Sequence, residues 1–241
     1  PAPTAKKVPH MLKRHGDEPL APYSWMRERE NPEVRAYLEK ENAHAEAFMK
    51  PTEALQQKLY DEMLSRVQQT DADVPFPNRG FYYYTRTEEG KQYPIFCRKK
   101  GSLEAPEEVI LDVNQLAEGK QFMNVGGRTV SPDGNLLAYS TDETGFRQYT
   151  LHVKDLRTGQ TLPEAIPRVT AAEWAEDGKT LLYGVEHPQT KRSYQIFRHV
   201  VGEPKDDLLY EEKDERFNVW VGKSRDRQVF FIQSASLTSS E

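Results

Sequence analysis

The sequence has one cysteine and no long apolar run, and acidic residues outnumber basic ones. Because Cys97 is the only cysteine among 241 residues, an intrachain disulfide and a cysteine-rich zinc site are both excluded. No stretch reaches the roughly 18 apolar residues of a membrane span. The net charge of −5 disfavours general binding to nucleic acid or to an anionic membrane surface, since both need a basic face. We therefore expect a cytoplasmic protein with no cofactor, metal ion, nucleic acid or membrane partner.

Aromatic residues compensate for a low apolar fraction. Only 37% of the residues are hydrophobic and 29% are charged, a balance that can indicate disorder. However, the chain carries 12 Tyr, 10 Phe and 3 Trp, which is too many for a disordered protein. This composition is typical of short, half-exposed strands.

Two helices are predicted near the amino terminus. Asn31 can cap a helix that begins at Pro32, and Thr52 can cap a second helix that continues to Val67. A polar linker at 68–73 follows them. Both helices carry an apolar stripe that requires a larger partner. The stripes consist of Val34, Tyr37, Leu38, Ala45 and Phe48 in the first helix, and Leu55, Leu59, Met63 and Val67 in the second.

From Val74 onward the pattern predicts an all-β region without helices. Short aromatic or β-branched runs alternate with turn residues, as expected for frequent hairpins. The clearest predicted strands are Phe81–Thr85, Tyr93–Cys97, Glu108–Val113, Leu136–Thr141, Tyr149–Val153, Thr180–Val185, Tyr194–His199 and Val229–Gln233.

The predicted strands repeat along the chain. Asp133-Gly134 precedes one strand, Asp177-Gly178 precedes another 44 positions later, and the tyrosines of these strands, Tyr139 and Tyr183, keep the same offset. A looser copy begins at Gly80 and a fourth at Arg225. A period of about 40–50 residues with four strands per repeat indicates a β-propeller. The fold class is therefore mainly β, an incomplete propeller preceded by a helical extension.

No local motif assigns chemistry to this chain. A Gly-x-Ser-x-Gly turn and a His-Glu-x-x-His helix are both missing from the sequence. We therefore assign no catalytic, cofactor-binding or metal-binding residue to the chain. The remaining candidate features have ordinary interpretations: a turn or bulge at Gly126-Gly127, a solvated hairpin at 211–216 and an inert thiol at Cys97. His44 is expected to have a solvated or interface role, and His187 and His199 to be ordinary loop and strand residues.

Eleven stretches, in order along nearly the whole chain, carry a family resemblance: Ala5–Pro9, His15–Asp17, Tyr23–Glu28, Asn31–Val34, Tyr37–Asn42, Asp73–Pro77, Arg79–Gly80, Glu107–Asn114, Leu116–Gly119, Val130–Gly134 and Leu137–Ser140. As a set they resemble the prolyl oligopeptidase family of serine peptidases, and within it the oligopeptidase B type. One departure is Ala21-Pro22, where the family usually carries a nearby Asp.

The resemblance implies an arrangement of domains and an activity. It implies a helical extension over 1–73, the first three to four blades of a seven-bladed propeller over 74–241, and an α/β-hydrolase domain outside this chain. It also implies that the intact protein hydrolyses short peptides after Lys or Arg, with the propeller restricting access to the active site. The triad of the family lies in its C-terminal half, so the chain alone is expected to be inactive.

Two other functions stay open at this point. The intact protein could be a prolyl oligopeptidase that cleaves after Pro, or the chain could be a non-enzymatic propeller that binds other molecules. For the peptidase, the expected partners are peptide substrates and the hydrolase domain of the same protein. An incomplete propeller also leaves unpaired strand edges, which predicts association between chains.

Overall fold

The first helix begins where its capping residue predicts. In the computed structural model, which describes residues 1–13 and 15–240, helix α1 spans Pro32–Met49. The Asn31 side chain accepts a hydrogen bond from the Glu33 N–H at 3.0 Å, so one of the free donors of the first turn is satisfied. Trp25 is buried beside this helix, and its indole nitrogen donates to the Lys6 carbonyl at 3.0 Å.

The second helix begins directly after Thr52, as predicted, but it lacks the predicted side-chain cap and ends earlier. Helix α2 spans Glu53–Ser65, so Val67 lies beyond it. Thr52 does not cap α2, because its hydroxyl donates to the Met49 carbonyl at 2.7 Å within a 3-10 turn. The α2 stripe, together with Leu38 and Phe48 of α1, is exposed in this structure.

In the described residues, the remainder of the chain forms fifteen strands and one short helix. The chain divides into two compact units, Pro1–Gln68 and Gln69–Glu241, and all the strands belong to the second. The strands are β1 Asp71–Ala72, β2 Phe76–Asn78, β3 Phe81–Thr87, β4 Ile95–Lys100, β5 Glu107–Asp112, β6 Asn124–Val130, β7 Leu136–Asp142, β8 Thr150–Asp155, β9 Thr161–Pro167, β10 Val169–Trp174, β11 Thr180–Glu186, β12 Ser193–Val200, β13 Asp207–Glu211, β14 Asn218–Lys223 and β15 Phe230–Ala235.

The strands form four antiparallel sheets in chain order. Sheet 1 has the order β1-β3-β4-β5, with β2 also paired to β3. Sheets 2 and 3 are four-stranded meanders, β6-β7-β8-β9 and β10-β11-β12-β13, and sheet 4 consists of β14 and β15. The first strands of successive sheets lie side by side, β6 next to β10 and β10 next to β14. This is the arrangement of propeller blades, whose first strands surround a central channel.

Apolar side chains fill the space between successive sheets. Phe96 and Leu111 of sheet 1 pack with Leu137 and Tyr139 of sheet 2 in one cluster. Equivalent clusters join sheet 2 to sheet 3 and sheet 3 to sheet 4. Each fully buried side chain of this kind contributes about 1.5–3 kcal/mol to the free energy of unfolding. The face-to-face packing confirms the propeller prediction, and the four sheets do not close into a ring.

Three local predictions for the β region are wrong. Residues 113–116 form a short helix, α3 (Val113–Leu116), because the Asp112 side chain accepts from the Asn114 N–H and caps it. The expected linker at 68–73 contains β1, which pairs with β3. The predicted hairpin at 211–216 is instead the end of β13 and the connection from sheet 3 to sheet 4.

Candidate functional site

A turn follows the first strand of each sheet, and the turns of sheets 2 and 4 share one design. In sheet 2, the Leu136 N–H donates to the Ser131 hydroxyl oxygen at 2.9 Å, and the Ser131 hydroxyl donates to Asp133 at 2.6 Å. Gly134 follows with φ of 78°, a conformation that glycine adopts without strain. Sheet 4 repeats the design with Ser224 and Asp226. We call the end of the sheets that carries these turns the turn end.

Charged side chains meet at the turn end. The Arg79 guanidinium donates to both carboxylate oxygens of Glu176, each at 2.7 Å, and the Lys223 ammonium donates to Glu176 Oε1 at 2.9 Å. Hydrogen bonds from Arg79, and then from Lys223, hold the pKa of Glu176 below its usual range. Nearby, the Arg227 guanidinium donates to Asn78 Oδ1 at 3.0 Å. Arg79, Glu176 and Lys223 therefore form a three-residue ion network, with one carboxylate between two cations.

A pocket of about 290 Å³ lies at the same end and receives residues from all four sheets. Lys223 is largely buried beside it, with 13% of its side chain exposed. Burial raises the pKa of the Glu173 carboxyl, which also faces this pocket. Because all four sheets contribute to its wall, this pocket marks the interior that the sheets surround. Other lining residues are Thr129, Pro132, Trp174 and Arg225.

A second pocket, of about 420 Å³, lies between sheets 1 and 2. Tyr83 and Phe96 form part of its wall, and the Arg128 guanidinium lies 3.8 Å from the centre of the Phe96 ring. Gly126 and Gly127 border it and form the bulge in β6, as the sequence predicts. This pocket therefore offers aromatic faces and one cation, the elements of a cation–π contact.

Cys97 has the environment of an inert thiol. It lies in the wall of the second pocket, and only 1% of its surface is exposed. Burial is the main cause that raises its pKa to about 11. Because the thiolate is the reactive form, this thiol is a weak nucleophile at neutral pH, in agreement with the sequence interpretation.

The structure reveals one buried polar network that the sequence did not indicate. The His199 ring nitrogen Nδ1 lies 2.7 Å from one carboxylate oxygen of Asp206, and the Tyr183 hydroxyl donates to the other at 2.5 Å. Burial and the neighbouring Asp206 raise the pKa of Tyr183. A His–Asp pair is also part of a serine triad, but within residues 1–13 and 15–240 no serine hydroxyl contacts His199 Nε2. The network therefore stabilises sheet 3 and supplies no nucleophile.

The other residues singled out by sequence lie apart from one another. His44 is on α1 with its ring 6.5 Å from that of Phe48, and His187 accepts from two loop N–H groups at 3.2 Å each. Across the described part of the chain, His, Cys, Asp and Glu side chains form no group of three or more that could hold a metal ion. No helix of that part is long and apolar enough to cross a bilayer.

Comparison with known proteins then decides the family. Residues 3–241 match the family model described as "Prolyl oligopeptidase, N-terminal beta-propeller domain". The chain belongs to the prolyl oligopeptidase family. It is 43% identical to dipeptidyl aminopeptidase BI of Pseudoxanthomonas mexicana and 36% identical to protease 2 of Moraxella lacunata. Each match covers 99% of this chain but 36% of the relative. The chain thus spans about a third of the length of these two relatives.

A solved structure supports the same assignment. Oligopeptidase B from Leishmania major superimposes with a TM-score of 0.89 at 31% identity, covering 98% of this chain and 36% of that one. The family assignment and the mainly β, propeller-type fold are therefore both confirmed. The homologues are serine peptidases of this family, and this chain corresponds to the N-terminal part of them.

Proposed function

We propose that this chain is the helical extension and propeller portion of a serine oligopeptidase that hydrolyses short peptides after Lys or Arg. The observation that carries the proposal is the match over 99% of the chain to two peptidases, joined to the similarity with oligopeptidase B. The catalytic serine, aspartate and histidine lie in an α/β-hydrolase domain beyond residue 241, and the intact protein works in the cytoplasm. The isolated chain is inactive.

In this proposal, the propeller selects substrates by their size. Its blades pack through apolar clusters, so they form a rigid wall around a channel. A wall of this kind admits flexible peptides to a covered active site and excludes folded proteins. The proposed division is a helical extension over 1–73 and blades over 74–241.

The exposed stripe of α2 supports contact with a further domain. Leu55, Leu59, Met63 and Val67 are all exposed, although an apolar helix face is ordinarily buried. We expect this stripe to dock on the hydrolase domain or on the side of the propeller. In the full-length protein, Leu59→Glu should lower stability and peptidase activity, whereas Gln56→Glu on the same helix should not. Unchanged behaviour of the Leu59 variant would remove this part of the proposal.

The activity is tested with chromogenic peptides and full-length protein. Cleavage should be fastest after Arg and Lys, slow after Pro, and blocked by a serine-directed phosphonate. The series should include substrates with a free amino terminus, because one relative is named a dipeptidyl aminopeptidase. Preference for Pro would favour the prolyl oligopeptidase alternative, and no cleavage of any peptide would favour the binding module.

A further inference from the structure

The ion network at the turn end joins sheets that are not neighbours. Arg79 belongs to the turn of sheet 1 and Glu176 to the turn of sheet 3, and sheet 2 packs between these two sheets. Asn78 and Arg227 connect sheet 1 to sheet 4 in the same way. The four sheets do not close by themselves, but in the complete ring of blades that the proposed function requires, side chains of non-adjacent blades can meet only across the central channel. These contacts therefore span the channel.

The chemistry of the network suits a closure. One nitrogen of the Arg79 guanidinium, Nη2, donates to both carboxylate oxygens of Glu176, so a charge-assisted hydrogen bond is shared between the two oxygens. Lys223 approaches the same carboxylate from sheet 4. A single carboxylate thus holds together cations from two other sheets. Without Glu176, the link between Arg79 and Lys223 would be lost, and the closure would open.

We propose that Arg79, Glu176 and Lys223 form a charged crossbar that closes the turn end of the propeller channel against peptides. This inference rests on the proposed function, in which the propeller restricts the access of peptides to the active site. It assigns to three named residues the task of blocking entry through the turn end of the channel. In the intact peptidase, substrates reach the active site by another route while the crossbar is in place. Loss of the crossbar opens a second route, which matters most for long peptides.

The first experiment opens the crossbar in the full-length protein. Glu176→Ala should raise the ratio of kcat/KM for a long peptide to that for a short chromogenic peptide at least threefold. The matched control is Glu164→Ala. Glu164 accepts from the Gly202 N–H at 2.8 Å and joins adjacent sheets 2 and 3, so it does not span the channel. The control should leave the ratio unchanged. An unchanged ratio in Glu176→Ala would overturn the proposal.

The second experiment does not depend on activity. Arg79→Cys combined with Glu176→Cys should be cross-linked by an ethylene-linked bismaleimide, whereas Arg79→Cys with Glu164→Cys should not. The cross-linked protein should keep its activity on short peptides, since the closed state is the resting one. Failure to cross-link would show that positions 79 and 176 do not lie close together, and the proposal would be wrong. A wild-type protein without peptidase activity would refute the proposed function, and the cross-link would still decide whether the channel is spanned.

Discussion

The indole nitrogen of Trp174 donates a hydrogen bond to the main-chain oxygen of Thr129 at 3.0 Å. Trp174 ends the first strand of sheet 3, and Thr129 lies near the end of the first strand of sheet 2. The Trp174 side chain is also 2% exposed and packs in the cluster between these sheets. One residue therefore fixes both the spacing and the register of two adjacent blades.

Replacement of Trp174 tests how much this contact stabilises the propeller. Trp174→Phe should lower the free energy of unfolding by about 1–3 kcal/mol, because it leaves the Thr129 carbonyl without its partner and removes buried volume. Trp220→Phe is the matched control, since Trp220 is an exposed tryptophan of β14, and its effect should stay within about 0.5 kcal/mol. Denaturant unfolding followed by far-ultraviolet circular dichroism provides the measurement. Equal losses in the two variants would contradict the role given to Trp174.

Sheets 2 and 3 each require a glycine at a crowded pair of positions on neighbouring strands, but the glycine lies on a different strand in each sheet. In sheet 3, a Cβ placed on Gly184 would lie 2.5 Å from Thr170 Oγ1 and 3.2 Å from Ser193 Oγ. In sheet 2, the first strand instead carries the glycine: a Cβ on Gly126 would lie 2.8 Å from Ser140 Oγ. Gly126 and Ser140 lie 44 positions before Thr170 and Gly184, so the two pairs are equivalent. One glycine is required in each pair.

The pair in sheet 3 yields a rescue prediction. Gly184→Ala should lower the free energy of unfolding by about 1–3 kcal/mol, because the new methyl group overlaps the Thr170 hydroxyl. The double variant Gly184→Ala with Thr170→Ala should recover most of the loss, since the obstructing oxygen is removed. Thermal unfolding of the two single variants and the double variant measures this. Additive losses would show that the two positions do not compete for space.

Acid sensitivity should depend on Glu176. Its pKa is lowered from the usual 4.5, first by Arg79, so its contribution to stability is fully present above pH 4.5 and is lost as pH falls through the lowered value. Glu176→Gln should therefore show a smaller loss of stability on acidification than the wild type. Glu173→Gln should show the opposite change, because burial raises the pKa of Glu173 and protonation favours its folded state. Urea unfolding midpoints between about pH 3 and pH 7 decide this. Parallel curves for all three proteins would contradict it.

The sequence predicts the two middle strands of sheet 2 better than its two edge strands. Strand β7 begins at Leu136 as predicted, because the turn at Asp133-Gly134 precedes the apolar run Leu136–Tyr139. The sequence does not predict β6, because its Gly126-Gly127 bulge interrupts the strand pattern, and it does not predict β9, because that strand contains two prolines. The ion network lay beyond sequence reasoning altogether, since Arg79 and Glu176 are 97 positions apart and only the ring arrangement brings them together.

The open face of sheet 4 should make the isolated chain associate. In the described part of the chain β15 pairs along its length with β14 alone, and Phe231 is 53% exposed on that sheet. Phe231→Glu should therefore reduce association, because it places a charge on the uncovered face. Phe146→Glu is the control, since Phe146 is 73% exposed but lies in a turn of sheet 2. Sedimentation velocity of the 241-residue chain measures the effect. A wild-type chain that stays monomeric at all concentrations would contradict the prediction.

The position of the reactive serine is the sharpest test of the proposal that this chain is the propeller portion of a serine peptidase. The full-length protein should be incubated with a fluorophosphonate probe, digested, and mapped by mass spectrometry, with the 241-residue chain treated in parallel. We predict one labelled serine beyond residue 241 and no label on the shorter chain, because in the described residues of the propeller portion no serine hydroxyl bonds to a histidine ring. Labelling of a serine within residues 1–241, or no labelling of the full-length protein, would contradict the account.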